Sequence, residues 1–156
     1  MTKNNHPLLS LLKGFYWFDE GLQAYLEHKG WHGVSRPQSM VMANVVMGVI
    51  HPADIARNLG VSRQAIHVTL GQMADAGILE LHDDPNDKRL KIVAISETGK
   101  AMRRDAQKAM KVLTDILATR IGAKRVEALS AAFDSDWGAP PTSFKSPAAP
   151  RRKPRK

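Results

Sequence analysis

Three polar side chains with hydrogen-bond donors stand at the start of one short predicted helix. Arg63, Gln64 and His67 follow Ser62, whose hydroxyl suits the N-cap position of that helix. Arginine and glutamine carry the donors that match guanine and adenine edges in the major groove of DNA. The pattern therefore predicts a recognition helix, with Ser62, Arg63, Gln64 and His67 as DNA-binding residues.

The residues before this helix predict a second short helix that packs against it. Pro52 suits the first position of a short helix, and Gly60 suits the left-handed end of it. Small Ala56 allows a second helix to approach closely, and Val61 is expected to fill the angle between the two helices. We interpret the segment as a helix-turn-helix. A polar helix start in an ordinary all-helical protein is the alternative.

A second group of charged residues lies in a predicted hairpin. Ile78 to His82 and Leu90 to Ile95 have strand composition, and Asp83 to Asp87 have turn composition. Basic residues cluster where the tip of such a hairpin would meet the DNA backbone or enter the minor groove. With Asp87 they are the predicted DNA-binding residues of the wing: Asp87, Lys88, Arg89 and Lys91. The order of helix-turn-helix, strand, basic tip and strand predicts a winged helix.

Long amphipathic segments flank this unit. Apolar residues repeat at helical spacing over residues 8–29 and again over residues 96–136, where Gly122 divides two helices. Gln38 to Val49 reads as a further apolar helix, which Gly33 and Pro37 separate from the first. One chain covers such long terminal helices poorly, so a homodimer reading palindromic double-stranded DNA is expected. The alternative is that these helices cap their own core.

The positive charge is concentrated near the C-terminus. The net charge is +8, yet residues 1–144 carry 17 basic against 15 acidic side chains, and residues 145–156 carry the remaining six basic ones. The last twenty residues also hold five of the nine prolines. We therefore expect a single domain over residues 1–136 and a disordered, basic, proline-rich tail over residues 137–156. A non-specific or architectural nucleic-acid binder that relies on this tail is the alternative function.

Several classes of protein are disfavoured by what the sequence lacks. Without cysteine there is no disulfide, thiolate zinc site or thiol nucleophile. Glycine-rich phosphate loops and hydrolase motifs are also absent, so neither an enzyme nor a cofactor is predicted. His28 and His32 have a spacing that could hold a metal, but they flank Gly30 at a helix end, and no metal site is expected. No apolar run suits a signal peptide or membrane span, so we expect a cytoplasmic protein without a membrane partner.

Residues 53–99 resemble the winged helix of the MarR family of bacterial regulators. The matching residues, in the order of the family, are Gly77, Ile78 and Leu79, Asp87 to Arg89, Ile92 to Ile95, Ser96 and Gly99. The resemblance implies a mainly α fold with a small β-hairpin wing, in which a winged helix at about 52–99 lies between dimerisation helices at about 8–29 and 96–136. It implies a transcriptional regulator, more often a repressor. Arg89 would enter the minor groove, oriented by a charge-assisted hydrogen bond that it donates to Asp87.

Two positions depart from the family pattern. Leu81 stands where arginine is usual, and Ala65 stands where a hydroxyl residue is frequent. Asp83 and Asp84 are expected to reduce the positive charge of the wing further. Affinity would then depend more on the recognition helix.

The resemblance also implies a small aromatic or anionic effector, held between the dimer helices and the DNA-binding lobes. Tyr16, Trp17 and Trp31 could line such a pocket, although aromatic residues at helical spacing are more typical of a core or a dimer interface. A winged helix that contacts protein in place of DNA is a further alternative. In that case Arg63 and Arg89 would be dispensable.

Overall fold

The computed structural model describes residues 6–143, which form six helices and one hairpin. The elements in chain order are α1 (Pro7–His28), α2 (Arg36–Val46), α3 (Pro52–Leu59), α4 (Arg63–Asp75), β1 (Leu79–Asp83), β2 (Lys91–Ile95), α5 (Glu97–Ile121) and α6 (Ala123–Asp134). The predicted fold class, mainly α with one small hairpin, is confirmed. Most of the predicted tail, residues 144–156, lies outside the described residues. Within the described range, no helix is long and apolar enough to cross a membrane.

The two long helices α1 and α5 pack against each other at close range. A Cβ atom added at Gly21 on α1 would lie 2.5 Å from Leu113 Cδ2 on α5, so glycine permits this approach. Beyond the end of α1, the indole Nε1 of Trp31 donates a hydrogen bond of 3.0 Å to Asp105 Oδ2 on α5. Helix α6 turns back on α5 at Gly122, as predicted.

Helix α2 begins at Arg36, two residues earlier than predicted. The backbone N–H of Ser35 donates to Gln38 Oε1 at 3.0 Å, which stabilises the first turn. Pro37 therefore lies inside that turn and does not separate the helices, because proline has no N–H to leave unpaired there.

A continuous core joins α2, α3 and α4 to the hairpin, to the end of α1 and to the start of α5. Its most deeply buried side chains are Leu26, Val41, Ile55, Ile66 and Leu70. One polar link crosses this region. Asn44 on α2 is buried, and its Oδ1 accepts a hydrogen bond of 3.0 Å from Asn58 Nδ2 on α3. The first helix of the predicted helix-turn-helix is thus held to α2.

The hairpin is antiparallel, and its register pairs Leu79 with Ile95 and Asp83 with Lys91. Each strand starts one residue later than predicted. Two contacts fix the hairpin to the helices. The Val93 N–H donates to the Ile50 carbonyl just before α3 at 2.9 Å, and the Ser96 hydroxyl donates to the Ile78 carbonyl at 3.0 Å at the start of α5.

Candidate nucleic-acid interface

The turn between α3 and α4 has the geometry of a helix-turn-helix. Gly60 adopts the left-handed conformation with φ +65°, and the next N–H donates back to the Ala56 carbonyl at 3.0 Å. Ser62 Oγ accepts from the Ala65 N–H at 3.1 Å and caps α4, as predicted. Val61 is 43% exposed, so the prediction that it fills the angle is wrong. The core at this corner is formed instead by buried residues of α3 and α4, among them Ile55 and Ile66.

Helix α4 has one buried side and one exposed side. Ile66, Leu70 and Met73 face the core. Arg63, Gln64 and His67 lie on the exposed surface of its first two turns, next to the capping Ser62. The four residues predicted for the recognition helix therefore share one accessible helix end.

At the tip of the hairpin, Arg89 forms a two-point ion pair with Asp87. Arg89 Nε lies 3.0 Å from Asp87 Oδ1, and Nη2 lies 2.9 Å from Oδ2. The Asp87 Oδ1 also accepts from the Arg89 backbone N–H at 3.1 Å. The arginine side chain holds the pKa of the Asp87 carboxyl below its usual value, and its hydrogen bond to Asp87 raises the pKa of Arg89 in turn. The hydrogen bond implied by the resemblance is present, and Lys88 beside it is exposed.

The two acidic residues expected to weaken the wing have specific partners. Asp83 pairs with Lys91 across the strands. Asp84 is buried, and its Oδ2 lies 2.7 Å from His51 Nε2, whereas its Oδ1 accepts from the Asn86 N–H at 2.8 Å. The hydrogen bond from His51 is the main cause that lowers the pKa of Asp84. The carboxylate of Asp84 thus faces the start of α3 and its own turn.

A cleft of about 540 Å³ separates α3 and α4 from the wing. It brings together four of the eight predicted site residues, Arg63 and His67 from α4 with Arg89 and Lys91 from the wing. The other four, Ser62, Gln64, Asp87 and Lys88, lie outside its lining. Sequence reasoning did not include His51, which also lines the cleft. No spacing rule links it to Asp84, since the two residues are 33 positions apart.

The three aromatic residues considered for an effector pocket lie in separate places. The guanidinium carbon Cζ of Arg36 lies over the ring of Tyr16, 4.6 Å from the ring centroid. Trp17 packs edge-on against Phe18, with ring centroids 4.9 Å apart. Trp31 lines a cavity of about 380 Å³ at the end of α1. Neither Tyr16 nor Trp17 lines this cavity.

The histidines considered for a metal site have no cluster of ligands around them. His32 Nδ1 lies 2.6 Å from Glu27 Oε1, and both side chains are well exposed. Among residues 6–143, no group of three or more histidine, aspartate or glutamate side chains could hold a metal ion.

Comparisons with known proteins agree with this geometry. The model of the MarR family matches residues 32–90. No curated protein sequence matches the chain.

Among solved structures, the transcriptional regulator PA4135 superposes with a TM-score of 0.67 at 18% identity, over 83% of this chain and 94% of that one. The apo form of wild-type MarR from E. coli superposes with a TM-score of 0.66 at 23% identity, over 82% of this chain and 95% of that one. A mutant MarR from E. coli in complex with operator DNA superposes with a TM-score of 0.62 at 22% identity, over 81% of this chain and 91% of that one. Residues 32–90 therefore match the MarR family model, and the chain has the fold of these solved structures.

Proposed function

We propose that this protein is a homodimeric, sequence-specific DNA-binding transcriptional regulator, acting as a repressor in the bacterial cytoplasm. The observation that carries the proposal is the cleft between α4 and the wing. Arg63 and His67 enter it from one side, and Arg89 and Lys91 enter it from the other. Two elements that carry cations on either side of a cleft suit a DNA strand whose phosphates pass between a groove-reading helix and a wing.

The roles of the eight residues follow from their positions. Arg63, Gln64 and His67 would reach base edges, since they occupy the first two turns of α4, and Ser62 would contact the backbone. Arg89 would enter the minor groove in the orientation that Asp87 imposes. Lys88 and Lys91 would contact phosphates. An operator complex is known for the E. coli MarR mutant, and the same use of this fold supports the proposal.

The homodimer is supported by an apolar surface on the helices outside the winged helix. In a single protomer, large apolar side chains are exposed on α1, α5 and α6 and just beyond α6. They are Leu8, Leu9, Leu12, Phe15, Tyr16, Val112, Ile116, Ile121, Leu129, Phe133 and Trp137. Four of these side chains, Phe15, Leu129, Phe133 and Trp137, line one common cavity, and an exposed apolar patch of this kind is typical of a protein–protein interface. A second copy would cover it and would place two recognition helices about 34–36 Å apart, one helical turn of DNA.

Release by an effector is the further part of the proposal. A cavity of about 260 Å³ lies between α1, α2 and α5, where Leu22, Met42 and Met102 contribute to its lining. The Ser39 hydroxyl at this cavity is buried and has no hydrogen-bond partner among the described residues. A small, largely apolar molecule with one polar group would satisfy it. Such a ligand would favour one orientation of α2 relative to the long helices and so would shift the separation of the recognition helices.

Selection from genomic DNA tests the proposal. Purified protein is mixed with genomic fragments at near-physiological salt, and the retained fragments are sequenced. We expect a short palindrome to be enriched by the wild type and lost by Arg63→Ala, Arg89→Ala. The matched control is Arg104→Ala, Lys111→Ala, which removes two positive charges from exposed positions on α5. Retention of all fragments alike by every protein would contradict sequence-specific binding.

The basic tail is the second candidate for affinity, because six of the positive charges lie in residues 145–156. Deleting residues 139–156 separates the two functions. If the winged helix reads the sequence, the shortened protein binds all DNA more weakly but still prefers the palindrome. Loss of all binding would favour the non-specific, tail-driven alternative.

A further inference from the structure

The wing is attached to the helix-turn-helix by a side-chain pair that is not among the predicted DNA-binding residues. His51 is the residue immediately before α3, and Asp84 is the first residue after β1. The His51 Nε2 and Asp84 Oδ2 atoms lie 2.7 Å apart, and the Asp84 side chain is only 9% exposed. A short contact to a buried carboxylate is a strong constraint, because an unpaired carboxylate there would be costly.

Asp84 shapes the wing turn while it holds His51. Its second oxygen accepts from the Asn86 N–H at 2.8 Å, and its own N–H donates to the Leu90 carbonyl at 3.0 Å. These bonds close the turn that carries the Asp87–Arg89 ion pair. The same carboxylate therefore defines the shape of the turn and its attachment to α3.

Two consecutive residues before α3 hold the hairpin at two positions along its length. Ile50 accepts the backbone bond from Val93 near the middle of β2, and His51 holds Asp84 near the tip. The His51 side chain makes no capping hydrogen bond to α3, which starts with Pro52. Loss of the imidazole should therefore loosen the wing turn, without removing a helix cap, while the Val93–Ile50 bond remains.

We propose that His51 and Asp84 are positioning residues that hold the wing turn, and with it Arg89, at a fixed place relative to the recognition helix. The proposal rests on the proposed DNA-binding function. In the free protein, Arg63, Arg89 and His51 line one cleft, so the two DNA-contacting elements form a single preorganised surface. Preorganisation favours affinity because less freedom is lost on binding.

A double-mutant cycle between His51 and Arg89 tests the inference. The probe is a fluorescently labelled duplex with the palindrome recovered by selection or, for a protein that enriches none, a mixed-sequence duplex at low salt. Kd is measured for the wild type, His51→Ala, Arg89→Ala and the double variant. We expect His51→Ala to weaken binding about fivefold or more, and this loss to disappear largely in the Arg89→Ala background.

Two control variants isolate the positioning role. His51→Gln keeps an N–H donor that can reach Asp84, so partial recovery of affinity relative to His51→Ala is expected. His82→Ala removes a histidine that also pairs with a carboxylate of the hairpin, Glu80, at 3.0 Å, but makes no hydrogen bond or ion pair to α3 within residues 6–143. It should bind like the wild type.

Amide hydrogen exchange supplies a readout that needs no DNA. The N–H groups of Asp84 and Asn86 should exchange faster in His51→Ala than in the wild type, whereas core amides of α4 should not change. A His51→Ala protein with wild-type affinity, or losses that simply add in the double variant, would overturn the inference. If Arg89→Ala binds like the wild type, the proposed wing contact fails, and unchanged exchange at Asp84 and Asn86 then overturns the inference as well.

Discussion

Arg36 Nε lies 2.6 Å from Asp19 Oδ2, so the first residue of α2 is tied to the middle of α1. Asp19 is 5% exposed and accepts a second hydrogen bond of 2.8 Å from Gln23 Nε2. The neighbouring carboxylate raises the pKa of Arg36. This pair links α2, which is hydrogen-bonded to α3 of the helix-turn-helix, to the first of the proposed dimer helices.

Removal of the arginine from this pair should destabilise the fold. Arg36→Met keeps an apolar stem against Tyr16 but leaves the carboxylate of Asp19 buried with one remaining partner. We expect a clearly lower Tm in thermal unfolding followed by circular dichroism. Addition of Asp19→Asn should restore part of the loss, because a neutral amide is less costly to bury than an unpaired charge. A Tm equal to that of the wild type in Arg36→Met would contradict this reasoning.

Gly99 has no room for a side chain. An added Cβ would lie 2.1 Å from the Ile78 carbonyl oxygen and 2.8 Å from Ile95 Cγ2, so backbone would have to move. Gly99→Ala should lower the free energy of unfolding by about 2–3 kcal/mol, the upper part of the range for overpacking. The control is Gly71→Ala on α4, where nothing lies within 4 Å, and a gain of about 0.5–1 kcal/mol is expected. Urea titration measures the free energy of unfolding of both variants. Equal effects of the two substitutions would contradict the prediction that Gly99 has no room for a side chain.

The Trp31–Asp105 hydrogen bond should make stability depend on pH. The indole N–H is the main cause that lowers the pKa of Asp105 below 3.8, and Lys108 adds to it. A lowered folded pKa stabilises the fold above the unfolded value and loses that effect as pH falls through the folded value. Trp31→Phe should therefore reduce Tm near neutral pH, and the difference from the wild type should shrink below pH 3.8. A difference that grows in acid would exclude this assignment.

The apolar surface of α6 gives a test of the dimer. Phe133 is 47% exposed in the protomer and lines a cavity of about 720 Å³ with Leu11 on α1. Phe133→Glu places a charge where the partner copy would pack, so light scattering after size exclusion should report a monomer. Met47→Glu, which replaces a 70% exposed apolar side chain at the end of α2, should leave the dimer intact. A dimer that persists in Phe133→Glu would show that the interface lies on another surface.

Local signals predicted most of the fold. Ser62, Ser96 and Gly122 end or start helices as expected, because capping and left-handed glycine are properties of neighbouring residues. The element order and the positions of Arg63 and Arg89 on exposed surfaces followed from the same signals. The predicted ends of helices differ slightly from the observed ones, such as the start of α2 at Arg36 and the end of α6 at Asp134 rather than at residue 136.

Long-range pairs could not be predicted from spacing. His51 and Asp84 were not connected in the sequence reasoning, and Asp84 was interpreted only as a negative charge on the wing. The apolar character of Val61 suggests a buried side chain, whereas the residue is 43% exposed. Such outcomes depend on which elements meet, and periodicity does not contain that information.

The ion pairs of the wing have a consequence for the ionic-strength dependence of DNA binding. Each phosphate that a protein neutralises releases condensed counterions, so the logarithm of the binding constant falls with the logarithm of salt concentration. Arg89 is already paired with Asp87, and Lys91 with Asp83. The positive charge of each side chain is therefore largely neutralised by a carboxylate before DNA binds. The slope contributed by residues 1–136 should therefore be shallower than their count of basic residues suggests. Most counterion release would then come from the chain beyond them, and sequence preference would come from the winged helix.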